Sequence, residues 1–200
     1  MPIVVDKEKK RKEIIEAAIA VFSQTGYHRT KIKDIADEAK VGKGTVYEYF
    51  RSKDDLFFQA GEYLFEQYIL NQKNAMDTTA DAEEQIRKLI ASTFDQAAML
   101  TGLTYLYVDM WSEMDRKGEE DKFRRLVADM LKRMTEDLSE YIREGQARGA
   151  FRDYDAVLTA HIICGVLDGL MFQLLTDMNM FDLKAMSDTL ADVLLNGLKK

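Results

Sequence analysis

Cysteine, proline and histidine are nearly absent from this 200-residue chain, which has one, one and two of them. The lone Cys164 excludes an intramolecular disulfide, and this favours a reducing compartment. Because the only proline is Pro2, nothing in the body of the chain forbids long helices. Two distant histidines, His28 and His161, form no metal set, catalytic triad or phosphate loop with one apolar cysteine. We therefore expect no metal, no cofactor and no enzyme activity.

Long apolar runs are also missing, since none approaches the roughly 18–20 residues that span a bilayer. The segment MPIVVDKEKK lacks the apolar core of a signal peptide. With 46% apolar residues, however, the chain can bury a sizeable core. We expect a cytoplasmic protein that does not enter a membrane.

Positive charge is scarce overall, because the formal net charge is −7, but it is unevenly distributed. Residues 1–53 hold 12 Lys and Arg against 8 Asp and Glu, whereas residues 54–200 hold 16 against 27. A basic N-terminal quarter on an acidic body is expected when only one end contacts phosphate. Chance clustering in the segment KEKKRK is the alternative explanation.

Helical periodicity continues along nearly the whole chain and predicts an all-α fold of about nine helices without strands. The clearest predicted helices span about 7–24, 53–76, 82–100, 120–147, 153–177 and 183–199. Glycines are expected to end helices at Gly26, Gly102, Gly118 and Gly149. N-terminal caps are expected at Thr30, Ser52 and Asp81, and MDTTAD at residues 76–81 is typical of a linker.

The segment VGKGTVYEYF, Val41–Phe50, is rich in β-branched and aromatic residues, which favour a strand. On helical spacing, however, Val46 and Phe50 share one face, and packing overrides the small helix penalty of such residues. Too few residues separate this segment from the preceding helix for a hairpin, but their number suits a tight turn. The pattern indicates a helix-turn-helix, in which the second helix enters the major groove of DNA.

Residues 10–56 resemble the DNA-binding domain of the TetR family of transcriptional regulators. The resemblance rests on IIEAAIAVFSQTGYHRTKIKDIADEAKVGKGTVYEYFRSKDDLF, of which GTVYEYFRSKDDL is the most specific part. The segments EGQARGAFRDYD and GVLDGLMFQLL resemble later helices of the family. This implies an N-terminal three-helix helix-turn-helix domain over residues 1–53 and a C-terminal helical ligand-binding and dimerisation domain over residues 54–200.

One departure from the family pattern is Lys40, where a glycine is usual. If the backbone there is left-handed, a residue other than glycine costs on the order of 1 kcal/mol. We expect this cost to affect the turn locally and to leave the motif intact.

The resemblance implies eight DNA-contacting residues: Thr30, Lys31, Lys43, Gly44, Thr45, Tyr47, Tyr49 and Lys53. Thr30, Lys31 and Lys53 are expected at phosphates, the last at a helix N-terminus that favours anions. Tyr47 is either a base contact or a brace between helices, and Tyr49 is expected at a phosphate or a thymine methyl. Glu48 either faces solvent or accepts a hydrogen bond from a cytosine amine. The basic segment KEKKRK is expected to add affinity without recognising sequence.

The resemblance also implies a homodimer through helices of about 154–177 and 183–199, the first of which is apolar nearly all round. Gly165 and Gly169 are four residues apart and permit close approach of a second helix. A dimer would place two recognition helices in successive major grooves, about 34–36 Å apart. A helix at the centre of a monomeric bundle is the alternative.

A small-molecule pocket enclosed by the middle helices is implied as well, and methionines and aromatics suit an adaptable apolar pocket. The candidate lining residues are Phe94, Met99, Tyr105, Tyr107, Met110, Trp111, Met114, Met130, Met134, Asp168 and Phe172. Asp109, His161 and Gln173 are further polar candidates to orient a ligand. For any one of these residues alone, core packing is the simpler interpretation.

Together these features predict a ligand-responsive regulator, expected to repress, that binds a palindromic operator and is released by a small hydrophobic effector. The helix of residues 53–76 reaches both domains, so we expect the effector to displace it. A helical protein-binding adaptor is the alternative function. An adaptor would not explain the Lys and Tyr residues exposed along residues 43–53.

Overall fold

The computed structural model describes residues 6–75, 81–118 and 120–199, and these form nine α-helices and no strand. The helices are α1 Lys7–Arg29, α2 Ile32–Glu38, α3 Lys43–Tyr49, α4 Lys53–Ala75, α5 Ala82–Asp95, α6 Ala97–Lys117, α7 Glu120–Ala147, α8 Ala156–Leu174 and α9 Leu183–Leu198. The prediction of an all-α fold with nine helices is confirmed. Apart from Asp81, the predicted linker at residues 76–81 lies outside the described residues.

The chain divides into two compact units. The first comprises Met1–Glu66 together with Tyr105–Glu120, and the second comprises Gln67–Thr104 together with Asp121–Lys200. Two helices, α4 and α6, therefore contribute residues to both units.

Aromatic packing organises the core of the first unit. Phe57 on α4 meets Phe22 on α1 edge to face, with ring centroids 4.7 Å apart, and lies equally close to Tyr27. Each such pair stabilises the fold by about 0.5–1.5 kcal/mol beyond its buried area. Ile14 and Ala18 of α1 are also fully buried.

The backbone of α1 leaves the helical region at Gly26, where φ is 75° and ψ is 162°. The predicted break at this glycine is confirmed, although helical geometry resumes as far as Arg29. The prediction that Thr30 caps α2 is wrong. Thr30 is buried and its hydroxyl donates to the Gly26 carbonyl at 2.7 Å, whereas Lys31 takes the cap position. The Asp34 carboxylate then accepts the Lys31 N–H at 2.8 Å.

Helices α5, α7, α8 and α9 share one apolar core in the second unit. Its members include Phe94, Leu138, Phe151, Ile163 and Leu195. The Phe151 ring lies directly over a glycine of α7, because a Cβ atom at Gly145 would come within 2.2 Å of the ring. The predicted cap of α5 is confirmed, since the Asp81 carboxylate accepts the Glu84 N–H at 2.9 Å.

The prediction of one helix over residues 82–100 that breaks at Gly102 is wrong. Instead, α5 ends at Asp95, and α6 begins at Ala97 and continues through Gly102. At the junction the Gln96 amide donates to the carbonyl and hydroxyl of Ser92 at 3.1 and 3.0 Å. A side chain thus satisfies the end of α5. Glycine inside a helix costs only about 1 kcal/mol, which tertiary packing overrides.

The last three helices begin and end close to their predicted limits. Gly149, with φ of 76°, follows the end of α7 as predicted. The Asp155 carboxylate caps α8 by accepting the N–H groups of Val157 and Leu158, so this helix starts later than predicted. By length and composition alone α8 could cross a membrane, so the expectation that no run is long enough is wrong. The core helix of a soluble protein meets the same criterion.

Candidate functional site

Helices α2 and α3 are joined by a tight turn whose hydrogen bonds define a Schellman motif. The Lys40 N–H donates to the Asp37 carbonyl at 3.2 Å, and the Val41 N–H donates to the Ala36 carbonyl at 2.9 Å. This motif requires one residue in the left-handed conformation, usually glycine. Here that residue is Lys40, with φ of 55°. The left-handed backbone considered for this position is therefore present.

One face of α3 is buried and the opposite face is exposed. Val46 and Phe50 are almost completely buried, and the Arg11 guanidinium lies 5.8 Å from the centre of the Phe50 ring. The exposed residues are Lys43, Gly44, Tyr47 and Glu48. The prediction that the segment Val41–Phe50 contains a helix with Val46 and Phe50 inside is confirmed.

Tyr47 is the largest side chain on the exposed face of α3, at 48% exposure. The Lys43 ammonium, one helical turn earlier, lies 5.9 Å from the centre of its ring. A cation–π contact at this distance holds both side chains on the surface. Thr45 and Tyr49 are half-buried at the edges of this face. The Tyr47 ring is thus open to solvent rather than enclosed between helices.

The three residues predicted at phosphates occupy different environments. Lys31 is exposed at the start of α2, whereas Thr30 is buried. Lys53, at the start of α4, donates through Nζ to the carbonyl oxygens of Tyr27 at 2.8 Å and Thr30 at 3.2 Å. Its ammonium also lies 4.0 Å from the centre of the Tyr27 ring. Lys53 therefore stabilises the end of α1 and the residues that lead into α2.

An acidic residue of α6 binds the same segment. The Asp109 carboxylate accepts the Tyr27 backbone N–H at 2.8 Å. A Cβ atom at Gly26 would lie 3.2 Å from that carboxylate, so glycine permits both the positive φ and the close approach. From the sequence, Asp109 is only a candidate to orient a ligand, because nothing local indicates a partner 82 residues away.

Glu113, one turn further along α6, is buried and paired. Its carboxylate accepts hydrogen bonds from the Arg116 guanidinium at 2.7 Å and lies 3.6 Å from His28 Nδ1. The sequence contains a signal for this burial, since Met110, Glu113 and Met114 share one helical face. A buried carboxylate is stable only with such partners.

The residues predicted to line an effector pocket are divided between the two units. Those in the first unit are Met110 and Met114, which are buried, Tyr107, which is half-buried, and Tyr105 and Trp111, which are exposed. Those in the second are Phe94 and Met130, which are buried, Met99 and Met134, which are half-buried, and Asp168 and Phe172, which are exposed. Phe94 belongs to the shared apolar core of its unit.

The second unit also contains a buried polar cluster that the sequence-based prediction missed. Gln72 is 8% exposed, and its Nε2 donates to Thr93 Oγ1 at 3.0 Å. The Tyr68 hydroxyl lies 3.3 Å from the same oxygen, which itself donates to the Leu89 carbonyl at 2.9 Å. Within the described residues, Gln72 Oε1 is buried without a hydrogen-bond partner. A donor from a ligand or water would remove a penalty of about 1–3 kcal/mol.

Helices α8 and α9 expose apolar side chains in the second unit. Leu158, Ile162 and Val193 are 62%, 63% and 64% exposed. At Gly165 and Gly169 no atom lies within 4 Å of where a Cβ would stand, so this side of α8 is open in the protomer. A contiguous exposed apolar surface usually marks an interaction site.

Two family descriptions match most of the chain. Residues 14–60 match bacterial regulatory proteins of the tetR family. Residues 80–198 match the C-terminal part of BetI-type transcriptional repressors. The first match contains α2 and α3, and the second contains α5 to α9.

Individual relatives agree over nearly the full length. The fatty acid metabolism regulator protein of Bacillus subtilis (strain 168) is 26% identical over 193 residues, covering 96% of this chain and 97% of that protein. A regulator from Saccharomonospora viridis in complex with choline is 27% identical, with a TM-score of 0.83 over 97% of this chain and 100% of that chain. FadR from Bacillus subtilis in complex with stearoyl-CoA is 25% identical, with a TM-score of 0.74 over 93% and 98%.

The first relative is a regulator of fatty acid metabolism, and the two solved structures are of transcriptional regulators. They support the interpretation as a DNA-binding regulator and give no support to a protein-binding adaptor. The chain belongs to the TetR family of bacterial transcriptional regulators.

Proposed function

We propose that the protein is a cytoplasmic homodimeric repressor that contacts a palindromic operator through α3 and is released by a small, mainly apolar effector. The observation that carries the proposal is that one face of α3 is buried and the opposite face is exposed. Val46 and Phe50 fix the helix, while Lys43, Gly44 and Tyr47 are exposed on its other side. A helix held in this way after a tight turn is suited to the major groove.

The proposed DNA-binding domain comprises residues 1–53, and its contacts divide by chemistry. Lys31 and Lys43 are exposed cations that would neutralise phosphates and release counterions. Gly44 lets the backbone approach the bases, and Thr45, Tyr47 and Tyr49 would contact base edges or the sugar-phosphate backbone. Thr30, before α2, and Lys53, at the start of α4, would contact phosphates, and Lys53 already donates to the carbonyl groups of Tyr27 and Thr30.

The proposed dimer forms through the exposed apolar faces of α8 and α9. Fully burying a side chain such as Leu158, Ile162 or Val193 contributes about 1.5–3 kcal/mol. In a symmetric dimer the same side chains of both protomers would be buried, so each contribution would count twice. This interpretation also accounts for the apolar composition of α8 without placing it in a membrane.

Residues 54–200 form the proposed effector domain. Two similar regulators hold stearoyl-CoA and choline. The methionines among the candidate lining residues favour an acyl chain, whereas the aromatic rings are also suited to a quaternary ammonium. The unpaired Oε1 of Gln72 offers one buried acceptor to a polar group of the effector.

Release from DNA requires that the effector favour the DNA-incompetent form. Moving the equilibrium from 1:99 to 99:1 takes about 5.5 kcal/mol of differential affinity. We expect α4 to transmit the change, because it contributes residues to both units. The activity needs no catalytic step and no cofactor.

The experiment is gel retardation of the DNA upstream of the protein's own gene at two salt concentrations. Wild-type protein is expected to form a specific complex that survives excess random DNA, and the Lys43→Ala variant is expected to bind more weakly. Stearoyl-CoA is expected to release the complex, whereas choline is not. Equal binding of specific and random DNA by the wild type would overturn the proposal. Release by choline alone would overturn its effector part.

A further inference from the structure

Glu48 is an acidic side chain at the centre of the exposed face of α3. With about 100° between successive residues, Glu48 and Gly44 each lie about 160° from the buried Val46. They therefore point most directly away from the protein, and both are exposed. If α3 contacts operator DNA as proposed above, Glu48 faces the groove.

The space around Glu48 suits a direct contact with a base. One turn earlier stands Gly44, where a Cβ atom would meet nothing within 4 Å, so no side chain holds the helix away from the groove at that point. Among the described residues, no hydrogen bond or ion pair engages the Glu48 carboxylate. The Glu48 carboxylate therefore has no structural role among the described residues and is available to bind a partner.

A carboxylate is an unusual group to present to DNA. Phosphates repel it, so in the absence of a base contact it lowers affinity for every sequence equally. An ionised carboxylate is only an acceptor and needs a donor on a base edge. In the major groove the donors are the amino groups of cytosine N4 and adenine N6, whereas guanine and thymine present acceptors there.

Cytosine fits this acceptor better than adenine. On adenine the N6 amino group stands beside the N7 acceptor, which repels the second carboxylate oxygen, whereas cytosine presents only its N4 donor. We infer that Glu48 accepts a hydrogen bond from the N4 amino group of one cytosine in each operator half-site. Glu48 thereby determines specificity at that base pair, an inference that rests on the proposed contact between α3 and the operator.

The test is in vitro selection from a pool of randomised duplex DNA with the full-length wild type and the Glu48→Gln and Glu48→Ala variants. The wild type is expected to select cytosine at one position of each half-site, by roughly 5- to 100-fold over other bases. Glu48→Gln is expected to change that choice to adenine, because an amide pairs with both N6 and N7. Glu48→Ala is expected to lose the choice there while binding random DNA a few-fold more tightly, since one repelling charge is gone.

Glu38→Gln is the matched control, since it removes the same charge from an exposed residue of α2. This variant is expected to keep the wild-type sequence preference at every position. Selection of the same sequence by the wild type and both Glu48 variants would overturn the inference. Glu48 would then face solvent and contact no base. Failure of the wild type to select any sequence would instead overturn the proposed function, and the inference with it.

Discussion

The Asp109 carboxylate accepts a hydrogen bond of 2.8 Å from the backbone N–H of Tyr27, across 82 residues of sequence. Tyr27 lies in the segment that leads into the helix-turn-helix, and the neighbouring Gly26 leaves just enough room for the carboxylate. Since α6 contributes residues to both units, this bond connects the residues before α2 to a helix that the two units share.

Removing this acceptor is expected to loosen the end of α1, just before α2. Asp109→Ala removes the carboxylate that accepts the Tyr27 N–H, which lowers the free energy of unfolding by about 1–3 kcal/mol. Asp109→Asn keeps an acceptor oxygen and is expected to recover most of that loss. Denaturant unfolding measures the stability, and hydrogen exchange of the Tyr27 amide measures the local effect.

The control for the Asp109 variants is Asp115→Ala, an exposed carboxylate on the same helix. It is expected to leave both the stability and the Tyr27 exchange rate nearly unchanged. If Asp115→Ala were as disruptive as Asp109→Ala, helix content rather than the bond to Tyr27 would explain the result.

Lys40 is held in a left-handed conformation, with φ of 55°, so glycine is expected to be the better residue there. Relief of this strain in Lys40→Gly raises the free energy of unfolding by up to about 1 kcal/mol. Lys33→Gly removes the same charge from an exposed position inside α2 and is expected to lower it by about 0.5–1 kcal/mol. Denaturant unfolding curves of the two variants measure both changes. An equal loss of unfolding free energy in both variants would contradict the strain at Lys40.

The open side of α8 allows a test of the proposed dimer. Alanine at Gly165 and Gly169 adds methyl groups that meet nothing in the protomer, so the fold is expected to remain intact. If a second copy packs closely there, the added methyl groups cost about 1–3 kcal/mol of association, which weakens the dimer by roughly 5- to 150-fold. Sedimentation velocity over a range of protein concentrations measures this change.

Gly102→Ala is the matched control for the α8 variants, because Gly102 also lies inside a helix with open space around its Cβ position. It is expected to leave the dimer unchanged while raising helix propensity. A monomeric wild type, or an unchanged dimer in the double variant, would count against the interface.

Cys164 is expected to resist thiol reagents in the native protein. Burial, with a smaller effect of Asp168, raises the pKa of its thiol to about 12. At pH 8 only about one native thiol in ten thousand is then ionised, and the thiolate is the reactive form. We expect Ellman's reagent to label Cys164 only when the protein unfolds. Rapid labelling of native protein, at the rate seen in concentrated guanidinium chloride, would contradict the buried position.

The same shift in pKa gives a pH dependence of stability. Because the thiol pKa is raised in the folded state, its contribution is complete below the unfolded pKa of about 8.5 and is lost as the pH rises towards 12. In this window stability is expected to fall by up to about 1.4 kcal/mol per pH unit more in the wild type than in Cys164→Ala. Denaturation curves at several pH values measure the two slopes, and identical slopes would refute the assignment.

Local patterns in the sequence were enough to predict the helices and several of their ends. The spacing of Val46 and Phe50 determines which face of α3 is buried, and the caps at Ser52 and Asp81 involve residues only three positions away. Lys40 stood out because the family pattern has a glycine there, and the structure shows the left-handed backbone that favours glycine. In each case the cause and its effect lie within a few residues of each other.

Features that depend on distant partners could not be predicted in this way. Gly102 continues a helix because packing outweighs its low propensity, and the chain breaks instead at Gln96. The bond between Asp109 and Tyr27 has no local signal. On an apolar helix such as α6, composition alone does not show that Met110 is buried and Trp111 exposed. For the same reason, the composition of the candidate pocket residues does not show which of them are buried.

Lys43 and Lys53 are both predicted at DNA, but their surroundings imply different consequences of mutation. Lys43 is exposed, with its ammonium 5.9 Å from the Tyr47 ring, whereas Lys53 donates to two carbonyl groups and lies 4.0 Å from the Tyr27 ring. Lys43→Met is expected to weaken operator binding and to lower the salt dependence of the binding constant by about one counterion. Loss of its contact with the Tyr47 ring lowers the free energy of unfolding by at most about 0.5–1 kcal/mol. Lys53→Met is expected to lower the free energy of unfolding by about 1–3 kcal/mol as well.

Thermal unfolding and fluorescence anisotropy with labelled operator separate these two effects. If Lys53 only supports the fold, operator affinity measured well below the unfolding temperature should retain the wild-type salt dependence in Lys53→Met. If Lys53 also neutralises a phosphate, the slope should fall as it does for Lys43→Met. A stability loss in Lys43→Met equal to that in Lys53→Met would contradict the environments described here, because only the ammonium of Lys53 satisfies backbone carbonyl groups of the segment before α2.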